Sequence, residues 1–137
     1  MATQQHQVIV AVGSNIKPET SLRGTRAILE SESTLIDEAT LIQTEPDGYQ
    51  DQPDFLNGAY LLQTELPYAE FNAYLKTVET RMGRVKGPIR SGPRTVDLDI
   101  IIWDGKVVHE DYRTRKYYVV QPVEELLERH GIQVSDD

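Results

Sequence analysis

Between Gly92 and Trp103 the chain reads GPRTVDLDIIIW, a run rich in β-branched residues in which two acids fall two positions apart. Successive side chains of a strand point to opposite faces, so Val96, Leu98, Ile100 and Ile102 are expected on one face and Asp97 and Asp99 on the other. The apolar face must be covered by a core. The acidic face places two carboxylates on Cα atoms about 6.5 Å apart, too close for two anions in a low-dielectric setting without a cation or a proton. A fold for this chain therefore needs one half-buried strand whose second side looks into a site for positive charge.

A chain of 137 residues is expected to form one domain over 1–137, with residues 1–7 and 133–137 frayed. No apolar run approaches the roughly 20 residues that cross a bilayer, so membrane insertion is not expected. The chain has no cysteine and its first residues, MATQQHQ, lack the basic-then-apolar layout of a secretory signal, which makes the cytoplasm the expected compartment. A net charge of -8 argues against nucleic acid as a general partner. That charge is uneven. Between Arg81 and Lys116 nine Lys or Arg face five acids, and Arg84, Lys86, Arg90 and Arg94 crowd just ahead of the two aspartates. Such a patch is either a solvated basic face or a pocket for an anionic small molecule.

Val8 to Val12 reads as a buried strand ending at Gly13-Ser14-Asn15, and a helix is expected from about Ser21, after Pro18, with Thr20 or Ser21 as N-cap. Leu35 to Thr44 is the second expected strand. The segment from Glu45 to Asp54 is rich in turn formers and acids, a long loop for so small a domain and so a candidate for function. Phe55 to Thr64 is a third strand, and Pro67 opens a helix whose Phe71, Leu75, Val78 and Met82 recur at helical spacing. Gly83 to Pro93 reads as a mobile connection and Thr95 to Trp103 as the acidic strand. Asp104-Gly105 then turns into a return strand to His109, Tyr117 to Val120 is expected as a last strand, and Pro122 as the start of a final helix to Arg129. This order suits an α+β, ferredoxin-like two-layer sandwich, with a mainly antiparallel sheet and helices on one face.

Four stretches in order, VGSN at 12–15, QDQPDFLN at 50–57, ETRMGR at 79–84 and GPRTVDLDI at 92–100, resemble the 6-hydroxymethyl-7,8-dihydropterin pyrophosphokinase family of folate biosynthesis. The resemblance runs over roughly residues 8 to 103. It implies a ferredoxin-like fold and ATP-dependent transfer of pyrophosphate to the pterin hydroxymethyl group, with release of AMP. It further implies that Asp97 and Asp99 bind two Mg²⁺ ions, which would supply the missing positive charge. By the same resemblance Arg84 and Arg94 meet the triphosphate, Glu79 is a polar support near the active centre, and Ile100 and Lys116 lie with the nucleotide, where Arg113 or Arg115 is read as compensating for the family arginine that Lys116 replaces. Asn57 and Thr44 take the amide-like edge of the pterin, and Phe55 and Tyr118 sandwich its ring. Read without the family, Phe55 and Tyr118 are ordinary core aromatics and Glu79 a solvent-facing helical carboxylate. Ser14 and Asn15 are read as organising the turn after the first strand.

The chain departs from the family pattern in five places. No Pro-His pair follows the acidic strand, where a loop is read as deleted, and Lys116 stands where the family has arginine. Ser91 stands at a common tryptophan position, and Asp47 at an apolar position of the pterin pocket. The C-terminal part is short, so the closing helix is expected to be missing or replaced through a homo-oligomer contact. Two further readings accompany the enzyme: a pterin-binding module with lost or altered catalysis, and an interaction domain whose acidic strand is merely solvated.

Overall fold

The computed structural model describes residues 4–83 and 94–136. Arg84, Lys86, Arg90 and Ser91 therefore lie outside the described residues, as does most of the expected connection from Gly83 to Pro93. In chain order the elements are β1 (His6–Ser14), α1 (Pro18–Glu32), β2 (Thr34–Glu38), β3 (Ile42–Thr44), β4 (Phe55–Thr64), α2 (Tyr68–Arg81), β5 (Asp97–Trp103), β6 (Lys106–Val107), α3 (Glu110–Arg113) and α4 (Tyr117–His130).

The sheet order is β2-β4-β1-β5-β6, with β3 also paired to β4, and every named pair is antiparallel. Counting β2 and β3 as one interrupted strand, β1, β2/β3, β4 and β5 are the four strands of a βαββαβ unit. Their spatial order is fourth, first, third, second, the ferredoxin-like arrangement. Helices α1 and α2 cover one face, where Val8, Val10 and Val12 of β1 meet Leu22, Leu29, Phe71, Leu75 and Val78. The two-layer sandwich expected from the sequence is thus present, but its helices do not all lie on one face. Helix α4 packs on the other side, where Val119, Val123, Leu126 and Leu127 meet Ile9, Ala59, Leu61 and Ile101.

The last helix differs most from its sequence reading. Tyr117 to Val120 form no strand but the head of α4, and Pro122 lies inside the helix. As the sixth residue of the helix, Pro122 gives up the bond an N–H there would make to the Tyr118 carbonyl, a cost that burial of the helix must offset. Val119, Val120, Val123, Leu126 and Leu127 form one buried helical stripe, which outweighs the strand preference of two adjacent valines. The C-terminal part is accordingly closed by this chain's own helix. Helix α1 likewise begins at Pro18, with Lys17 as N-cap, whereas Ser21 is buried within it and donates to the Ile16 carbonyl at 2.8 Å.

The expected strand from Leu35 to Thr44 is divided. Ala39 still donates to the Ala59 carbonyl, but the Thr40 N–H turns to the Glu125 carboxylate of α4, at 3.0 Å to its nearer oxygen, and leaves the ladder. The return strand after Gly105 keeps only Lys106 and Val107, because His109 caps α3 by accepting from the Asp111 N–H. His6 and Gln7 pair with Thr64 and Gln63, and Ser135 bonds across to Gly105 and Val107.

A register shift in the β1–β5 ladder sets the site. Val10 pairs with Ile100 and Ile9 with Ile102, so Ile101 is the extra residue of a bulge. Up to the bulge the alternation holds, with Val96, Leu98 and Ile100 under α1 and α2. Beyond it Ile102 joins Ile101 in the α4 core, a correction to its expected place beside Leu98.

Candidate active site

Pairing across the three central strands builds the floor of a cleft. Gly13 stands opposite both Asn57 and Asp97, and Ala11 opposite both Ala59 and Asp99. Directly paired residues share a face, so two small residues of β1 separate a polar side chain of β4 from two carboxylates of β5. The cleft above them has a volume of about 350 Å³. Thr44, Phe55, Asn57, Arg94, Asp97, Asp99 and Tyr118, all singled out in the sequence, line it together.

Asn57 is buried and donates through Nδ2 to Thr44 Oγ1 at 2.6 Å. Its carbonyl oxygen lies over Gly13, where a Cβ would fall 2.7 Å from Asn57 Oδ1. Only glycine at 13 leaves that oxygen undisturbed. Asn15, also buried, donates to Gln52 Oε1 at 2.8 Å and to the Pro53 carbonyl, while its own Oδ1 accepts from the Arg94 N–H at 2.9 Å. One asparagine thus ties the 45–54 segment to the start of the acidic strand, a larger role than organising its own turn. Arg94 then reaches Asp97 at 3.3 Å and lays its guanidinium over the Phe55 ring, 4.8 Å from the centroid.

The two carboxylates are not equivalent. Burial and the neighbouring Asp97 charge push Asp99 up to about 6, against the opposing pull of Lys76 and His109. Lys76 Nζ is 3.5 Å from Asp99 Oδ1, and His109 Nε2 is 3.9 Å from the same oxygen. Among the described residues Lys76 and Arg94 lie beside the two carboxylates, yet burial and the Asp97 charge still hold the Asp99 carboxyl up. No group of three or more His, Cys, Asp or Glu side chains converges among the described residues. A divalent ion here would draw two hard carboxylate ligands from the protein and its remaining oxygens from water and substrate, which suits Mg²⁺.

Four sequence candidates stand outside the cleft lining. Ile100 is buried in the α1/α2 core. Arg113 is taken up by Asp136 at 2.9 Å and the Val107 carbonyl at 2.9 Å. Lys116 pairs with Asp47 at 3.1 Å. Glu79 is buried, and its carboxylate accepts the Leu98 N–H at 2.6 Å while Lys76 donates to the Leu98 carbonyl at 2.6 Å. Leu98 sits between the aspartates on a stretch of β5 that pairs only with β1. Glu79 and Lys76 of α2 therefore satisfy both outward-facing backbone groups of that edge. Lys76 was not legible as a site residue; its one signal is its place one turn before Glu79. Asp111 and Gly13 also line the cleft without having been singled out.

Asp47 projects into the same space from the loop after β3. Tyr118 Oη donates to Asp47 Oδ2 at 2.8 Å, and this bond together with Lys116 holds the carboxyl below the usual range. Burial and the same carboxylate push the Tyr118 hydroxyl up.

Residues 9–128 match the profile of the 7,8-dihydro-6-hydroxymethylpterin-pyrophosphokinase (HPPK) family. The chain is 35% identical to the 2-amino-4-hydroxy-6-hydroxymethyldihydropteridine pyrophosphokinase of Bacillus subtilis (strain 168) over 116 residues, covering 82% of this chain and 66% of that protein. It is 36% identical to the protein of that name from Pseudomonas aeruginosa over 100 residues, covering 71% of this chain and 61% of the other. To the mitochondrial "Folate synthesis bifunctional protein" of Pisum sativum it is 34% identical over 144 residues, covering 98% of this chain but 27% of the plant protein. The matches thus span about a quarter of the plant protein's length and just under two thirds of the Bacillus protein's.

Proposed function

This chain belongs to the 6-hydroxymethyl-7,8-dihydropterin pyrophosphokinase family, and from that premise we propose that it transfers pyrophosphate from ATP to 6-hydroxymethyl-7,8-dihydropterin. The observation that carries the reading is the meeting of Thr44, Phe55, Asn57, Arg94, Asp97, Asp99 and Tyr118 around one cleft. In the proposed reaction the hydroxymethyl oxygen attacks the β-phosphorus of ATP and gives its proton to solvent, the bond from that phosphorus to the α,β-bridging oxygen breaks, and AMP leaves with the electron pair. Such a transfer requires mainly positioning and neutralisation of charge.

The pterin ring lies between Phe55 and Tyr118, its amide-like edge against the buried Asn57–Thr44 pair. Arg94, already stacked on Phe55, turns its charge toward the phosphates. Asp97 and Asp99 hold two Mg²⁺, whose chemistry when bound is to neutralise the phosphate oxygens. Lys76 and Glu79 fix the strand between these ligands through the Leu98 backbone. Arg84 gives a second phosphate contact, and Lys116 is a basic group beside the cleft. Cytoplasmic chemistry on small-molecule partners belongs to the same reading. Among the described residues no helix is long and apolar enough to cross a membrane.

Gly13→Ala tests the floor of the pocket. The added Cβ forces Asn57 off its position, and pterin affinity should fall by at least about 10-fold, the effect of one misplaced buried polar contact. Titration calorimetry of wild type and variant with the pterin measures it; an unchanged affinity contradicts the placing of Asn57 at the substrate edge. Calorimetry with a non-hydrolysable ATP analogue and Mg²⁺ separates the alternatives. Binding of both ligands supports the transferase, pterin alone a binding module, and neither ligand rejects the pocket assignment.

A further inference from the structure

We propose that Asp47 is a latch: its carboxylate fastens the tip of the 45–54 segment to the head of α4 and thereby holds the Tyr118 ring in place across the cleft from Phe55. The inference rests on the pterin reading above and adds to it a positioning residue for the substrate pocket.

Three observations support it. Asp47 Oδ2 accepts from Tyr118 Oη at 2.8 Å and lies 3.1 Å from Lys116 Nζ, so one oxygen engages two residues at the start of α4. The far end of the segment is already fixed, since Asn15 donates to Gln52 Oε1 and to the Pro53 carbonyl. Between these ties the chain braces itself, with Gln50 Nε2 donating to the Pro46 carbonyl at 2.7 Å and Gly48 turning the backbone at φ 88°. A φ of 88° is one that residues with a side chain rarely adopt, so glycine at 48 permits the turn that sets the neighbouring aspartate toward α4. Asp47, Phe55 and Tyr118 all line the one cleft. A tyrosine held by its hydroxyl has lost the ring freedom that binding would otherwise remove, which is preorganisation in the sense that raises affinity without a new contact to the ligand.

Because the latch acts through Tyr118, its loss should be read in pterin binding and not in chemistry. Asp47→Ala should weaken 6-hydroxymethyl-7,8-dihydropterin binding roughly 10-fold and raise its KM in proportion, with kcat within about twofold. Asp47→Asn keeps an oxygen that accepts from Tyr118 and should remain within about threefold of wild type. Tyr118→Phe keeps the ring but removes the donor, so Asp47→Ala placed on it should cost clearly less than it does in the wild type, the Lys116 contact being what remains to lose. Hydrogen–deuterium exchange of the 45–54 amides, without any ligand, gives a second reading, and protection there should fall in Asp47→Ala. Unchanged protection, full additivity with Tyr118→Phe, or an Asp47→Asn as weak as Asp47→Ala overturns the latch. A wild-type protein that binds no pterin overturns the substrate reading itself, and is seen before any variant is compared.

Discussion

Asp97→Ala and Asp99→Asn are each expected to lower pterin-dependent AMP formation by at least roughly 10³-fold, the loss typical of removing a group that neutralises charge in a phosphoryl-transfer transition state. Neither side chain packs in the core, so far-UV circular dichroism should be unchanged. Asp99→Asn should also act on stability, in the opposite sense to its effect on activity. In the wild type the folded carboxyl titrates near 6, above the usual aspartate value of about 3.9. The native state therefore binds the proton more tightly than the unfolded chain between those values. Stability of the metal-free protein falls as pH rises through that window, and the deficit is complete above pH 6. An asparagine never carries the charge. At pH 7.5 and without divalent ions the variant should be more stable than wild type by about 1–2 kcal/mol, less than the full linkage because a third of the side chain meets solvent. At pH 4 the two should unfold together. Added Mg²⁺ should raise the Tm of the wild type and leave that of Asp99→Asn nearly unchanged. A variant less stable than wild type at pH 7.5 contradicts the cost of burying the Asp99 charge beside Asp97.

The second large effect is expected at Glu79. Its carboxylate is buried, takes the Leu98 N–H, and lies 3.3 Å from Lys76 Nζ. Glu79→Ala strands a backbone donor at the edge of β5 and leaves Lys76 with less opposing charge, at a cost of about 2–3 kcal/mol. For a chain of this length that is a fall in Tm of roughly 6–12 °C. Glu79→Gln keeps an oxygen for Leu98 and should recover about half of the loss. Since Leu98 joins the two aspartates, AMP formation by the folded Glu79→Ala protein should fall as well. Thermal unfolding followed by calorimetry settles the first point; a Tm within 2 °C of wild type would mean that the edge of β5 is satisfied in some other way.

Much of the site was legible because a strand has period two. Asp97 and Asp99 had to share a face, and the alternation that placed them holds up to Ile100. It fails at Ile101, where an extra residue turns Ile102 to the other core, and a bulge one residue long leaves no mark in an unbroken run of isoleucines. The head of α4 was misread for a related reason. Tyr117 to Val120 are β-formers beside a proline, and only tertiary burial of the stripe from Val119 to Leu127 decides for helix. Glu79 was noticed, but its partner is a backbone N–H on β5, 19 residues along the chain, and no local pattern signals such a bond. Asn15 looked like a turn residue because its ties to Gln52, Pro53 and Arg94 exist only once β1, β4 and β5 are side by side. Composition and spacing are blind to contacts of that kind.

The central claim is that one cleft joins the pterin to the phosphates. Its most direct test is the product balance of the wild-type protein incubated with Mg-ATP and 6-hydroxymethyl-7,8-dihydropterin, followed by chromatography and mass spectrometry. The account predicts AMP and the pterin diphosphate in equal amounts, neither formed when the pterin is left out. ADP with a pterin monophosphate, or no AMP from a folded protein that binds both ligands, would contradict it.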